Sequence, residues 1–466
     1  MKCKTDFAYQ AVYRYLMRLV NEAQAASPRR LPSLRHLAQR LQVSISTVQS
    51  AYSLLEKEGR VCSVPKSGYY SMPDTHCDDD IAGGDDSQLL EVFCRSRLRP
   101  GMCWLGSDEP AVLPGQESAV LAMERVLARL YPLPGNGGFQ PLGDPELRAA
   151  LSARYTRDAE HGWFADDVCI GPDLAAMLDS VIETLCLRAK TVLVESPCPW
   201  SLLQRFQAFD IRIVEVPLDE TGGIDMQLLD RALTGQRVSL ALLSSALNPI
   251  RGSARPLSNT RLVAERLNRQ GIWVLENDSH GDLLFDCAPV RLRDLVDPER
   301  LITMGSFAPV LGPNAPYGYL LCKAARSQWQ HHFLLRAFEL SPLRQKAIAR
   351  LYASGRLSAH LTHTVTGLVE RMQQVSEALD RHLGQTLRYE RAAGGSGIWA
   401  ESVNPVNMRR VFDLLRRKRI VISPGELFST QGWHRQFLRI SCTLDRGLDI
   451  DRMLIALRET LEEVTG

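Results

Sequence analysis

Apolar residues fall at Leu34, Leu37, Ala38 and Leu41 and again at Val48, Ala51, Tyr52 and Leu55, the i, i+3, i+4, i+7 spacing that gives a helix one buried stripe. Ser33 precedes the first set and Ser44 the second, so each predicted helix opens where a hydroxyl can cap free backbone N–H groups. The short turn Gln42-Val43-Ser44 between them predicts a helix-turn-helix. Two β-prone runs at 60–64 and 69–72, around Pro65-Lys66-Ser67-Gly68, predict a hairpin. Tyr52 lies on the apolar stripe, and its expected place is the core.

A different rhythm starts near Leu89. Apolar runs at 191–195, 211–216, 238–243 and 272–276 alternate with helix-period segments such as 174–188 and 260–270, the pattern of an α/β fold with a mainly parallel sheet. The last stretch, 373–466, shows two charged helical patterns around a short strand at 436–442 and predicts an α+β subdomain. The chain therefore divides into 1–72, an acidic linker 73–88 and a large domain 89–466. With 466 residues, two or three domains and a large core are expected.

Charge sharpens that division. Residues 1–72 hold 11 Lys and Arg against 4 Asp and Glu, while residues 73–91 hold 7 acidic and no basic side chains, although the whole chain is only +2. A basic module on a self-repelling tether points to one polyanion-binding part. The outward residues of the second helix, Ser46, Thr47, Gln49 and Ser50, are small or amide-bearing and suit a major groove, and Lys66 at the hairpin tip suits phosphate. The eleven cysteines are scattered without ligand spacing, so neither disulfides nor a metal site is expected. No run approaches the roughly 20 apolar residues of a membrane span, the start of the chain lacks an apolar signal core, and a cytoplasmic location is expected.

The run from Leu31-Pro32-Ser33-Leu34-Arg35 through Ser44, Ser46-Thr47-Val48 and Ala51-Tyr52 to Ser67-Gly68-Tyr69 resembles the GntR winged helix. The resemblance implies DNA contacts by Arg35, Ser44, Ser46, Thr47 and Gln49. The sequence departs from it at Ile45, where an arginine that touches DNA is common. Further on, Gly143-Asp144-Pro145, Glu195-Ser196-Pro197, Asn248-Pro249, the block from Glu276 to Phe285 and the segment from Gly305-Ser306-Phe307 to Gly318-Tyr319 resemble fold-type I aminotransferases, in that order along the chain. Together the two halves resemble the MocR subfamily of GntR regulators, which implies a winged helix-turn-helix, an aminotransferase-like domain and a head-to-tail homodimer.

That second resemblance implies pyridoxal phosphate, held by a lysine, with a carboxylate facing its pyridine nitrogen. The lysine position is Pro309 and the carboxylate position Asn277. The family tyrosine over the ring hydroxyl is His280, the phosphate-clamping arginine is Pro316, and the tyrosine near the domain start is Phe139. The eight lysines lie at 2, 4, 57, 66, 190, 323, 346 and 418, so none substitutes. The expectation is therefore that no cofactor is used and that covalent pyridoxal phosphate in particular is absent. Asn248, Ser306 and Arg439 keep the family types, and with His280 they are candidate residues for a carboxylate or amino-acid-like effector. The competing reading gives each an internal duty: a turn at Asn248, a loop cap at Ser306, a buried ion pair at Arg439, a satisfied polar contact at His280. Trp200 is read as core packing beside the ring site.

Three roles remain open at this point. The chain is a DNA-binding regulator whose large domain dimerises and senses a ligand, or a regulator whose large domain is only a dimerisation scaffold, or an aminotransferase with a DNA-binding arm. The missing amine favours them in that order, with no enzyme activity expected. Because one winged helix makes few base contacts, binding of double-stranded operator DNA by a homodimer is expected.

Overall fold

A computed structural model describes residues 12–17, 19, 30–57, 61–64, 67–71, 86–99, 101–106, 118–130, 139–158, 162–286, 290–444 and 449–465. They form two compact units, one of residues 1–103 with 412–421, the other of 104–411 with 422–466. The compact units thus divide at 103, and residues 86–88 of the expected linker begin a helix, Asp86–Arg97. Residues 73–85 lie outside the described residues. The segment 412–421 joins the first unit through buried Phe412, whose ring lies 6.4 Å from that of Phe93, and through the Arg419 carbonyl, which accepts from the Cys103 N–H at 2.8 Å.

In the first unit, α1 (Leu34–Leu41) and α2 (Ile45–Lys57) are followed by the antiparallel hairpin β1 (Val61–Val64) and β2 (Gly68–Ser71). Ser33 caps α1 by accepting from the His36 N–H. Gln42 takes the left-handed conformation (φ 52°) and donates to the Ala38 carbonyl, which stops the helix and turns the chain. Leu37, Val48, Ala51, Tyr52 and Leu55 are buried together with Leu16 and Val61. Tyr52 stacks on Tyr69, centroids 4.2 Å apart, and its hydroxyl donates to the Pro32 carbonyl at 2.6 Å. It is a core residue, as its place on the stripe predicts.

The second unit is built on a seven-stranded sheet of β3 (Val168–Gly171), β4 (Thr191–Ser196), β5 (Arg212–Pro217), β6 (Val238–Ser244), β7 (Trp273–Asn277), β8 (Leu301–Ser306) and β9 (Gly318–Leu321). Their spatial order is β3-β9-β8-β7-β6-β4-β5, and β9 runs antiparallel to both of its neighbours. The neighbouring strands from β5 to β8 are mutually parallel. Strands covered on both faces read as continuous apolar runs, which is why 191–195 and 238–243 stand out. A four-stranded antiparallel sheet follows, β10 (Leu387–Tyr389), β11 (Gly397–Ser402), β12 (Ser423–Pro424) and β13 (Phe437–Ser441), in the order β10-β11-β13-β12. The helix before it, Arg356–Leu383, is 28 residues long and starts well ahead of the expected subdomain boundary. Among the described residues, no helix is long and apolar enough to cross a membrane.

Candidate functional site

On the helix-turn-helix, Arg35, Ser44, Ile45, Ser46 and Gln49 are exposed and Thr47 is half-buried. The Ser44 hydroxyl accepts from the Thr47 N–H at 3.1 Å and lies 2.8 Å from Ser46 Oγ and 2.7 Å from Thr47 Oγ1. Its first duty is to cap α2, and it draws the two neighbouring hydroxyls into the same cluster. Gln49 lies one turn further along the same face as Ile45. Lys66 falls outside the described residues.

In open α/β folds the ligand crevice lies beyond the carboxyl ends of the strands. Ser196 ends β4, Asn277 ends β7 and Ser306 ends β8, with Asn248 four residues past β6. Asn248 is fully engaged: its amide nitrogen donates to Glu195 Oε1 and to the Pro197 carbonyl, both at 2.9 Å, while its oxygen accepts from the Ile250 and Arg251 N–H groups. Buried Arg255 pairs with the other oxygen of Glu195. The family asparagine here ties a turn to a buried ion pair. Ser306 is similarly occupied, donating to the Tyr317 carbonyl at 3.3 Å and accepting from the Ala308 N–H at 3.2 Å. Pro309 lies in the short helix Ala308–Leu311, where it offers neither amine nor backbone donor.

Arg439 acts on His280 through its charge. Arg439 is buried, donates through Nη2 to Ser396 Oγ at 3.2 Å and lies against Gly397, where a Cβ would meet its Cζ at 2.8 Å. Burial first, and then the Arg439 charge, push the His280 imidazole down to about 4, so it is neutral near pH 7, with Nδ1 3.1 Å from Ser279 Oγ. Buried Asn277 accepts from the Ser279 N–H. Phe139 is 67% exposed and Pro316 is exposed, while Trp200 is half-buried at the start of the helix Trp200–Ala208.

The structure adds a cluster that no sequence pattern signals. Arg293 donates to Glu276 Oε2 at 2.9 Å and to Ser245 Oγ at 3.2 Å, lies 3.1 Å from Asp278 Oδ2, and covers the Tyr155 ring at 4.7 Å. Tyr155 donates to Asp278 at 2.8 Å, and its oxygen is 3.0 Å from that of Tyr319. Burial would raise the Asp278 carboxyl, but Arg293 and Arg291 outweigh it and hold the group below its ordinary value. Asp278, which immediately follows Asn277, is thus an ionised acid spent on arginine.

A cavity of about 380 Å³ opens at Ser196, at the carboxyl end of β4, walled also by Trp399, Phe437, His434 and Arg251. Trp399 and Phe437 stack with centroids 5.3 Å apart. Burial and then Arg251 lower His434 to about 4, and its Nε2 lies 3.0 Å from Ser196 Oγ, which donates to Glu215. His280 and His434 both resist protonation that the unfolded chain accepts near pH 6.5. Stability of this unit is therefore expected to fall as pH drops from 6.5 to 4, on the order of 2–3 kcal/mol per histidine. Thermal midpoints recorded from pH 7.5 to 4.5 check this: His434→Gln should flatten the acid branch, and an unaltered branch would refute it.

The Aminotransferase class I and II family matches residues 101–450, and the gntR family of bacterial regulatory proteins matches 8–70. The chain is 27% identical over 430 residues to a protein named as the uncharacterized HTH-type transcriptional regulator YdcR of Escherichia coli (strain K12), covering 88% of this chain and 89% of that one. It is 26% identical over 378 residues to 2-aminoadipate transaminase of Thermus thermophilus, covering 78% and 91%. Its fold is similar to that of the crystal structure of LysN, the alpha-aminoadipate aminotransferase of Thermus thermophilus complexed with N-(5'-phosphopyridoxyl)-L-leucine, with a TM-score of 0.69, 21% identity, and coverage of 82% and 98%. The kynurenine aminotransferase of Pyrococcus horikoshii, solved with PMP, gives a TM-score of 0.70 at 18% identity, covering 82% and 96%.

These matches overturn the expectation that no cofactor is used. The large unit has the fold and family of pyridoxal-phosphate proteins, so cofactor binding is the family rule, and the changed residues at Pro309, Asn277, His280, Pro316 and Phe139 are not a ground for expecting none. That expectation took the loss of the covalent link and of several family contacts for the loss of the ligand, although a protein binds and orients such a group through its pocket as a whole. What the residues do not fit is the link itself: Pro309 stands at its position. Lys323 lies over the Trp163 ring, Lys346 is 3.0 Å from Glu146, and Lys190 donates to the Leu185 carbonyl at the opposite, amino-terminal end of β4.

Proposed function

Since the chain belongs to the aminotransferase class I and II family over residues 101–450 and carries a GntR-family module at residues 8–70, we propose that it is a cytoplasmic transcriptional regulator. It binds double-stranded operator DNA as a homodimer and uses the aminotransferase-like unit to pair the subunits and receive a small effector, not to turn over amino acids. The observation that carries this reading is the exposed face of α2, with Arg35 exposed on α1, in the same chain as an aminotransferase fold.

Arg35 meets backbone phosphate or a base edge, while Ser44 holds the amino end of α2 and Ser46, Thr47 and Gln49 face the groove. Lys66, which lies between β1 and β2 in the sequence, adds a phosphate contact. Two modules are needed because each half-site contributes a few base contacts. In the large unit, pyridoxal phosphate, when bound, supplies an electron sink for amino-acid chemistry. A neutral His280, the amide of Asn277 and the cation of Arg439 make a set suited to holding an anionic or carboxylate-bearing ligand. Ligand bound there, or in the cavity at Ser196, changes DNA affinity only by favouring one arrangement of the unit over another.

Light scattering of the full chain on a selected duplex tests the assembly: two chains per site are expected, and a single chain bound at full affinity would refute the dimeric reading. A titration with pyridoxal phosphate and amino acids, followed by its effect on DNA affinity, separates sensing from a scaffold role. An affinity unmoved by any of them supports the scaffold.

A further inference from the structure

We propose that the recognition helix reads a thymine through its C5 methyl group with Ile45, beside an adenine read by Gln49. This rests on the DNA-binding reading above and names what that face of the protein recognises. Ile45 opens α2 with 48% of its surface exposed, an aliphatic side chain standing in water at the tip of the helix that would enter the groove. The polar groups around it are already engaged, since Ser44, Ser46 and Thr47 form one hydroxyl cluster and Ser50 Oγ donates to the Ser46 carbonyl at 3.0 Å. No lysine or arginine occurs from Gln42 to Glu56, so this tip has no cation for guanine.

What remains is one aliphatic group and, one turn on, one exposed amide. In the major groove only thymine offers a methyl group, and an amide side chain pairs with adenine N6 and N7. Cytosine at the same place would set its N4 amine against the Ile45 side chain, desolvated and without an acceptor. Phosphate contacts fall instead to α1, where Arg35 and Arg40 are exposed. The expected half-site therefore carries a thymine and an adenine within a step or two of each other.

The test uses the full chain and duplexes selected from a random pool. Selected half-sites should share a thymine, and replacing it with uracil, which removes one methyl group, should weaken binding about fourfold per half-site. Ile45→Ala should lose the same amount and then be insensitive to the uracil exchange, with its salt dependence unchanged because no phosphate contact is lost. Ile45 is exposed, so the variant should unfold at the wild-type midpoint. Selected sites that ignore both changes, or an Ile45→Ala variant that still responds to uracil, would overturn the inference while leaving DNA recognition intact. A pool that yields no preferred site removes the DNA-binding reading and this inference with it.

Discussion

Arg293→Met should destabilise the large unit by about 3–5 kcal/mol, because it strands buried carboxylates without their cation. Glu276 is fully buried and Asp278 nearly so. With Arg293 gone, Glu276 keeps the Thr303 hydroxyl at 3.1 Å and the backbone N–H of residue 293, which neutralise no charge. Asp278 keeps Tyr155 and the more distant Arg291 at 3.8 Å. The paired variant Glu276→Gln/Arg293→Met should cost less than the sum of the single changes, since the two residues share one interaction. Urea unfolding of all three proteins measures this. A loss below about 1 kcal/mol for Arg293→Met would show that these charges are solvated in the folded state.

The second large effect is on DNA. Each arginine of a twofold-symmetric regulator acts at both half-sites, so Arg35→Ala removes two contacts of about 1–3 kcal/mol each. The expected loss is about 2–6 kcal/mol, or roughly thirtyfold to more than ten-thousandfold in affinity. The slope of log affinity against log salt should fall by about two if both contacts are to phosphate. Fluorescence anisotropy with a selected duplex at several salt concentrations distinguishes the cases. A loss in specific affinity with no change in slope would assign Arg35 to a base edge, and no loss at all would remove it from the interface.

Much of the architecture is legible in the sequence for identifiable reasons. The two stripes of the helix-turn-helix are regular and their caps are serines, so α1 and α2 are visible, and Tyr52 is correctly placed in the core. The parallel strands are covered on both faces and read as apolar runs. By contrast β10 and β12 are only 3 and 2 residues long, too short to show alternation. The acidic composition of 73–91 conceals the helix that begins at Asp86, because charge density reads as solvation whether or not a helix forms.

The candidate ligand set divides along a similar line. Asn248 and Ser306 have the residue types a ligand site needs, but their hydrogen bonds are spent on Glu195, Pro197, Tyr317 and nearby backbone. Which groups are spent depends on partners 11 residues away for Ser306 and more than 50 for Asn248, and spacing along the chain does not carry that information. Arg293 escaped notice because it sits in the 3-10 turn Leu292–Asp294, outside any periodic element, with its partners on β7 and just beyond. The cofactor expectation failed differently, by inferring the absence of a ligand from the residue types at individual family positions, when the family and fold of the whole unit carry the cofactor.

Footprinting of the full chain on its selected duplex, in excess competitor DNA, bears most directly on the central proposal. Two protected half-sites that disappear with Arg35→Ala are predicted. Uniform, competitor-sensitive coverage, together with conversion of an amino acid to its 2-oxo acid when pyridoxal phosphate is supplied, would instead make the chain an aminotransferase.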